Sequence, residues 1–177
     1  RQAAATLAER YLVGGDRVGI EDLGVRHRAV RSGTGRRQLD RVVQQLALLR
    51  PEGEPPSRVR PPRITAGALV YVLSTFLDPE AATMAHGWQR TGHTVVAVDV
   101  FPQLRLQGLD TRHKLALRLV LLERQDRLAD LLASGIEVVP WADEQAATSH
   151  LQRLGRMARR RPASHGPVAT RPTGGGR

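Results

Sequence analysis

The chain has 177 residues, 27 Lys and Arg against 17 Asp and Glu, no cysteine and only 3% aromatic residues. That length suits one domain with a real core, and zero cysteine excludes a disulfide framework, a Cys-held zinc or iron–sulfur site and a thiol nucleophile. The net charge of +10 is uneven: residues 1–152 carry 20 basic and 17 acidic side chains, whereas residues 153–177 carry 7 basic and none acidic.

The chain opens on Arg1-Gln2-Ala3-Ala4-Ala5, inside a helical pattern and without an initiator Met or a signal peptide. The expectation is a piece of a longer protein cut upstream of its first helix. Ala4, Leu7, Ala8, Tyr11 and Leu12 share one face of a helix over 2–13, and Gly14-Gly15-Asp16 ends it. Val18-Gly19-Ile20 reads as a strand, and Val25 to Arg31 as a second, joined by Leu23-Gly24. Arg26, Arg28 and Arg31 on that second strand suit a sheet edge, where charge discourages association.

Ser32-Gly33-Thr34-Gly35 leads into a helix with Leu39, Val42, Val43, Leu46 and Leu49 at spacings of three and four. Pro51 closes it, and the five prolines of 51–63 predict a surface loop. Ala68 to Leu73 is a continuous apolar run, as expected of a strand covered on both faces. Asp78-Pro79-Glu80 is a helix start, with Met84 and Trp88 turned inward and a stop near Gly92.

Thr94 to Val98 is another buried strand, and 111–133 a long Leu-rich helix ended by Gly135. Ile136 to Val139 is a third buried strand, and 143–160 a last helix. From Pro162 on, Gly, Pro and Arg predominate and predict disorder. Strands alternating with helices imply right-handed crossovers and a mostly parallel, doubly covered α/β sheet of Rossmann-like, three-layer type. The early hairpin is expected to add one antiparallel edge strand. Because a helix comes first, the sheet is expected to lack its first, central strand, leaving open edges and marginal stability.

Working positions in such sheets lie at the carboxyl ends of strands. Here these are Ser32 to Gly35, Ser74 to Asp78, and Asp99 to Phe101. Ser32 to Gly35, with Arg36 and Arg37 beside it, offers an anion site at a helix start but lacks the Lys-Ser/Thr ending of a P-loop. Ser74, Thr75 and Asp78 are oxygen donors suited to Mg²⁺, with helix capping the competing use of Asp78. Asp99 ends a strand and is a catalytic candidate, with capping or loop hydrogen bonding the competing use. The six His residues show no His-Glu-x-x-His spacing, and no Gly-x-Ser-x-Gly elbow makes Ser74 a nucleophile. The Leu stripe at 115–122 is expected to be core, and the Arg-rich run 153–161 a solvated helix end.

Four blocks stand in order: Gly15-Asp16-Arg17-Val18-Gly19-Ile20; Gly35-Arg36-Arg37-Gln38-Leu39; Leu73-Ser74-Thr75-Phe76-Leu77-Asp78; and Thr94-Val95-Val96-Ala97-Val98-Asp99-Val100. Together they resemble the bacterial domain of unknown function 58 family, whose fold is von Willebrand factor A-like. The resemblance covers about residues 2–142. It implies a von Willebrand factor A-like domain over 1–160, lacking its first strand, with a basic Gly/Pro/Arg tail over 161–177.

It also implies a non-enzymatic role in complex assembly or maturation beside a MoxR-type AAA+ ATPase, and a cytoplasmic location with the full-length parent anchored in a membrane. Von Willebrand A domains bind Mg²⁺ through an Asp-x-Ser-x-Ser motif after the first strand, a loop Thr and a later Asp. By that resemblance the first motif lies upstream of Arg1, Thr34 is the loop Thr, and Thr75 stands where the later Asp is expected. Thr34, Ser74 and Asp78 are then the remnants of a degenerate site. The chain itself is expected to hold no cofactor, with Mg²⁺ left to the intact protein. The competing reading is a Rossmann-like enzyme or binding protein for a phosphorylated small molecule at Ser32 to Arg37. No specific nucleic acid is expected, because 153–177 contains no aromatic residue on which bases can stack.

Overall fold

The computed structural model describes residues 1–24, 28–49, 61–102, 104, 108, 110–142, 145, 147–151, 153 and 155. Nine elements run in the expected order: α1 (Gln2–Val13), β1 (Val18–Glu21), β2 (Ala29–Gly33), α2 (Arg36–Leu48), β3 (Leu69–Ser74), α3 (Glu80–Arg90), β4 (Thr94–Asp99), α4 (Thr111–Ala133) and β5 (Glu137–Pro140). Residues 145, 147–151, 153 and 155 are helical, in agreement with the last expected helix. The 161–177 tail and residues 51–60 of the expected loop lie outside the described residues.

β3, β4 and β5 form a parallel sheet in that order, with Ser74, Asp99 and Pro140 aligned across its carboxyl end. Their apolar runs serve two cores because successive side chains point to opposite faces. Val70, Val72, Val95 and Ala97 pack with Met84 and Trp88 of α3 and Leu131 of α4. Val96, Val98 and Val139 pack on the other face with Leu7 of α1 and Leu151 of the last helix. The result is a three-layer α/β arrangement.

The hairpin departs from expectation. β1 and β2 form a separate antiparallel sheet instead of an edge strand on the parallel one. Its side chains find a third core, where Val18, Ile20 and Val30 pack against Val42 and Leu46 of α2 and Ala8 of α1. Neighbouring residues Leu7 and Ala8 thus face different cores, and α1 joins the two sheets.

β2 also begins and ends later than its charge pattern predicts, so Ser32 and Gly33 belong to the strand. Residues 25–27, including Arg26, lie outside the described part. Gln38 explains the late end: its Nε2 donates to the Val18 and Arg31 carbonyl oxygens, both at 2.8 Å, stapling α2 to both strands. A Cβ on Gly33 would meet the Gln38 Oε1 at 2.7 Å, so the staple requires glycine there.

The second departure is the Leu stripe, which is largely solvent-exposed: Leu115, Leu119, Val120 and Leu122 lie at the surface. The reason is length. α4 has 23 residues, about 34 Å at 1.5 Å per residue, whereas six-residue strands span only about 20 Å. Leu128 and Leu131 in the last turns pack on the sheet. Arg124 is already level with the strand ends, so the residues before it run on past the carboxyl edge.

Candidate functional site

The carboxyl end of the parallel sheet is where the loops after β3 and β4 meet the middle of α4. Arg124, buried on α4, sends its Nε to the Thr75 carbonyl oxygen at 2.7 Å and its terminal nitrogen to the Asp99 carboxylate. The same guanidinium stacks over the Phe101 ring, 4.4 Å from its centroid. The other Asp99 oxygen accepts the Phe101 backbone N–H at 3.0 Å. Both oxygens of Asp99 are therefore engaged inside the fold.

The β3–α3 loop is held as firmly. Ser74 Oγ accepts the Phe76 N–H at 3.0 Å, and Phe76 is fully buried with φ at +54°. A bulky residue in the left-handed region costs on the order of 1–3 kcal/mol and persists only where its surroundings enforce it. Here the enforcement comes from α4, because Arg127 donates to the Phe76 and Leu77 carbonyl oxygens at 3.3 and 2.8 Å. Asp78 Oδ1 accepts the Glu80 N–H at 3.2 Å, an Asx turn one residue before the α3 N-cap. Pro79 occupies the N-cap position itself, one residue earlier than a first-turn proline.

The expected ligands fall on different elements. Thr34 lies exposed in the turn between β2 and α2, on the hairpin side, whereas Ser74 and Asp78 belong to the parallel sheet. Thr75 contributes its carbonyl oxygen to a guanidinium. Divalent affinity rises with ligand charge, and Thr34, Ser74 and Asp78 together bring a single carboxylate, one oxygen of which holds the Glu80 N–H, while Asp99 faces Arg124. Among the described residues no three His, Cys, Asp or Glu side chains gather as a metal site. This donor set does not fit Mg²⁺.

At Ser32 to Arg37, Gly35 is the N-cap of α2 at φ +76°, and Arg36 and Arg37 are exposed on its first turn. Gln38 faces the hairpin there, in a structural role that the sequence reading overlooked. A polar residue where the α2 apolar pattern turns toward the hairpin was the available signal. Arg124 and Arg127 were overlooked as well, because two cations in a long Leu-rich helix read as solvated.

Next to this end, the projecting half of α4 presents Leu115, Leu119 and Leu122 to solvent at 60%, 58% and 48% exposure. A shallow groove of about 420 Å³ runs beside them, lined by Lys114, Leu117, Arg118, Leu121, Leu122 and Gln125. No helix among the described residues is long and apolar enough to cross a membrane. Compared with family models, curated proteins and solved structures, the chain matches none.

Proposed function

We propose that the chain is a non-enzymatic protein-interaction domain that works through the carboxyl end of its parallel sheet and the projecting half of α4. The exposed leucine stripe carries this reading. A helix apolar on its outer as well as its inner face is normally covered on both, and contiguous exposed leucines mark interaction sites. Nearby, Ser74 and Asp78 each hold a loop N–H and Asp99 holds Arg124, which fixes the loops beside the stripe.

The four blocks resembling the domain of unknown function 58 family suggest the partner class, a MoxR-type AAA+ ATPase acting in complex assembly or maturation. Two sheets joined by α1, with β3 at an open edge, suit a von Willebrand factor A-like sheet without its central first strand.

Binding of the full chain to a purified MoxR-type ATPase, measured by interferometry with ATP and Mg²⁺, tests the proposal. Saturable binding is expected. Absence of binding up to the solubility limit of the chain contradicts it.

A further inference from the structure

We infer that the open edge of β3 is a slot for one extended strand of another polypeptide, apolar on both faces, which joins the two sheets into one. β3 is built as an inner strand. Its residues, Leu69-Val70-Tyr71-Val72-Leu73-Ser74, include no charge and no proline, two devices that keep edge strands from pairing. β5, at the opposite edge of the same sheet, has both: Glu137 begins it and Pro140 ends it.

The main chain of β3 is left half used. The Ser74 carbonyl oxygen accepts the Val100 N–H at 3.0 Å, so Ser74 turns its main chain toward β4. Alternation then turns the N–H and C=O groups of Leu69, Tyr71 and Leu73 to the other edge. Among the described residues no strand pairs there, and no loop or side chain bonds to the Leu69 or Leu73 main chain. Both residues are half-buried, where unmatched main-chain groups are costly.

The slot has the width of one strand. α1 lies against β1 on one side and shares a core with Leu69, Tyr71 and Leu73 on the other, through Leu7 and Tyr11. The Tyr11 and Tyr71 rings are 5.7 Å apart. A helix is about 10 Å across, and neighbouring strands stand about 4.8 Å apart. A helix seated on β1 and β3 at once therefore spans two strand spacings, which leaves room for a single strand. On the opposite face Leu23, just past the end of β1, packs against the core of Val70 and Val72.

An incoming strand sets alternate side chains into these two cores, so both of its faces must be apolar. Main-chain bonds supply affinity and the two faces supply specificity. Residues 50–60 and 156–177 contain no apolar run as long as four residues to fill the slot. A second copy cannot bring its own β3 alongside, because its hairpin stands next to that edge.

Fluorescence anisotropy of a labelled peptide, five alternating Val and Ile residues between Lys pairs, tests the inference on the full chain. Saturable binding is expected, weakened about tenfold or more when Ser replaces alternate residues and lost when alternate peptide nitrogens are methylated. Leu69→Pro removes a slot-facing N–H at the first position of the strand, where proline is tolerated. It should weaken binding about tenfold with an unchanged circular dichroism spectrum. Amide exchange gives a readout that needs no variant. Without peptide, Leu69 and Leu73 should exchange about tenfold or more faster than Val70 and Val72, and saturating peptide should remove the difference.

No saturable binding, binding indifferent to Ser or to methylation, or an unchanged affinity in Leu69→Pro would each overturn the inference. Equal protection of all four amides in the free chain, or protection of Leu69 and Leu73 that follows dimerisation of the chain instead of added peptide, would overturn it as well.

Discussion

Arg124 reaches across from α4 to the Asp99 carboxylate at the end of β4. Side-chain exposures of 10% and 15% make this a mostly buried pair, and the guanidinium also holds the Thr75 carbonyl oxygen and covers Phe101. A single contact between two residues thus fixes the carboxyl end of the sheet against the helix that projects beyond it.

Removing one partner strands the other charge. Asp99→Ala or Arg124→Met is expected to lower stability by roughly 3 kcal/mol or more, as for other broken buried pairs. The double replacement should recover part of that loss. Urea denaturation midpoints of the three variants check this, and an additive double mutant contradicts the coupling.

The Gln38 staple makes a separate prediction for the hairpin. Gln38→Ala leaves the Val18 and Arg31 carbonyl oxygens short of a donor and is expected to cost about 1–3 kcal/mol. Amide exchange should quicken across β1 and β2 while β3 to β5 stay protected, because the hairpin is its own sheet. Equal loss of protection in both sheets contradicts that separation.

The two halves of α4 differ in kind. Leu131 is fully buried, so Leu131→Ala is expected to cost about 2–5 kcal/mol. Leu119→Ala, on the exposed half, is expected to stay within about 0.5 kcal/mol of the parent. Comparable losses at both positions would show that the stripe is covered within the chain.

Asp110 caps α4, accepting the His113 backbone N–H at 2.8 Å. That bond, joined by one from the His113 side chain, holds the Asp110 carboxyl below its ordinary value. With the folded value depressed, the cap's contribution is fully present above the unfolded value, about 3.9, and fades as pH falls through the folded one. Protection factors of the first-turn amides of α4, taken relative to the intrinsic rate at each pH, should therefore fall only below about pH 4. In Asp110→Ala they should be low at all pH values.

Much of this fold was legible from the apolar runs. Both faces of β3, β4 and β5 are apolar because both are covered, and Gly135 ends α4 at φ +85° as its position implies. The separateness of the hairpin was not legible, because pairing between strands distant in sequence leaves no local pattern. Nor was the exposure of Leu115 to Leu122. A leucine stripe has the same period whether it faces a sheet or a partner, and only the mismatch between helix and strand lengths tells them apart. At the candidate site, Pro79 and not Asp78 takes the N-cap, though Asp78-Pro79 was readable as a helix start. The commitment of Asp99 to Arg124, 25 residues away, was not.

Hydrogen exchange across the whole chain, with and without a purified MoxR-type ATPase under ATP and Mg²⁺, tests the central claim most directly. The account predicts new protection concentrated in residues 111–123 and in the loop after Asp99, with α2 and the hairpin unchanged. Protection confined to the hairpin and α2, or none anywhere, would contradict it.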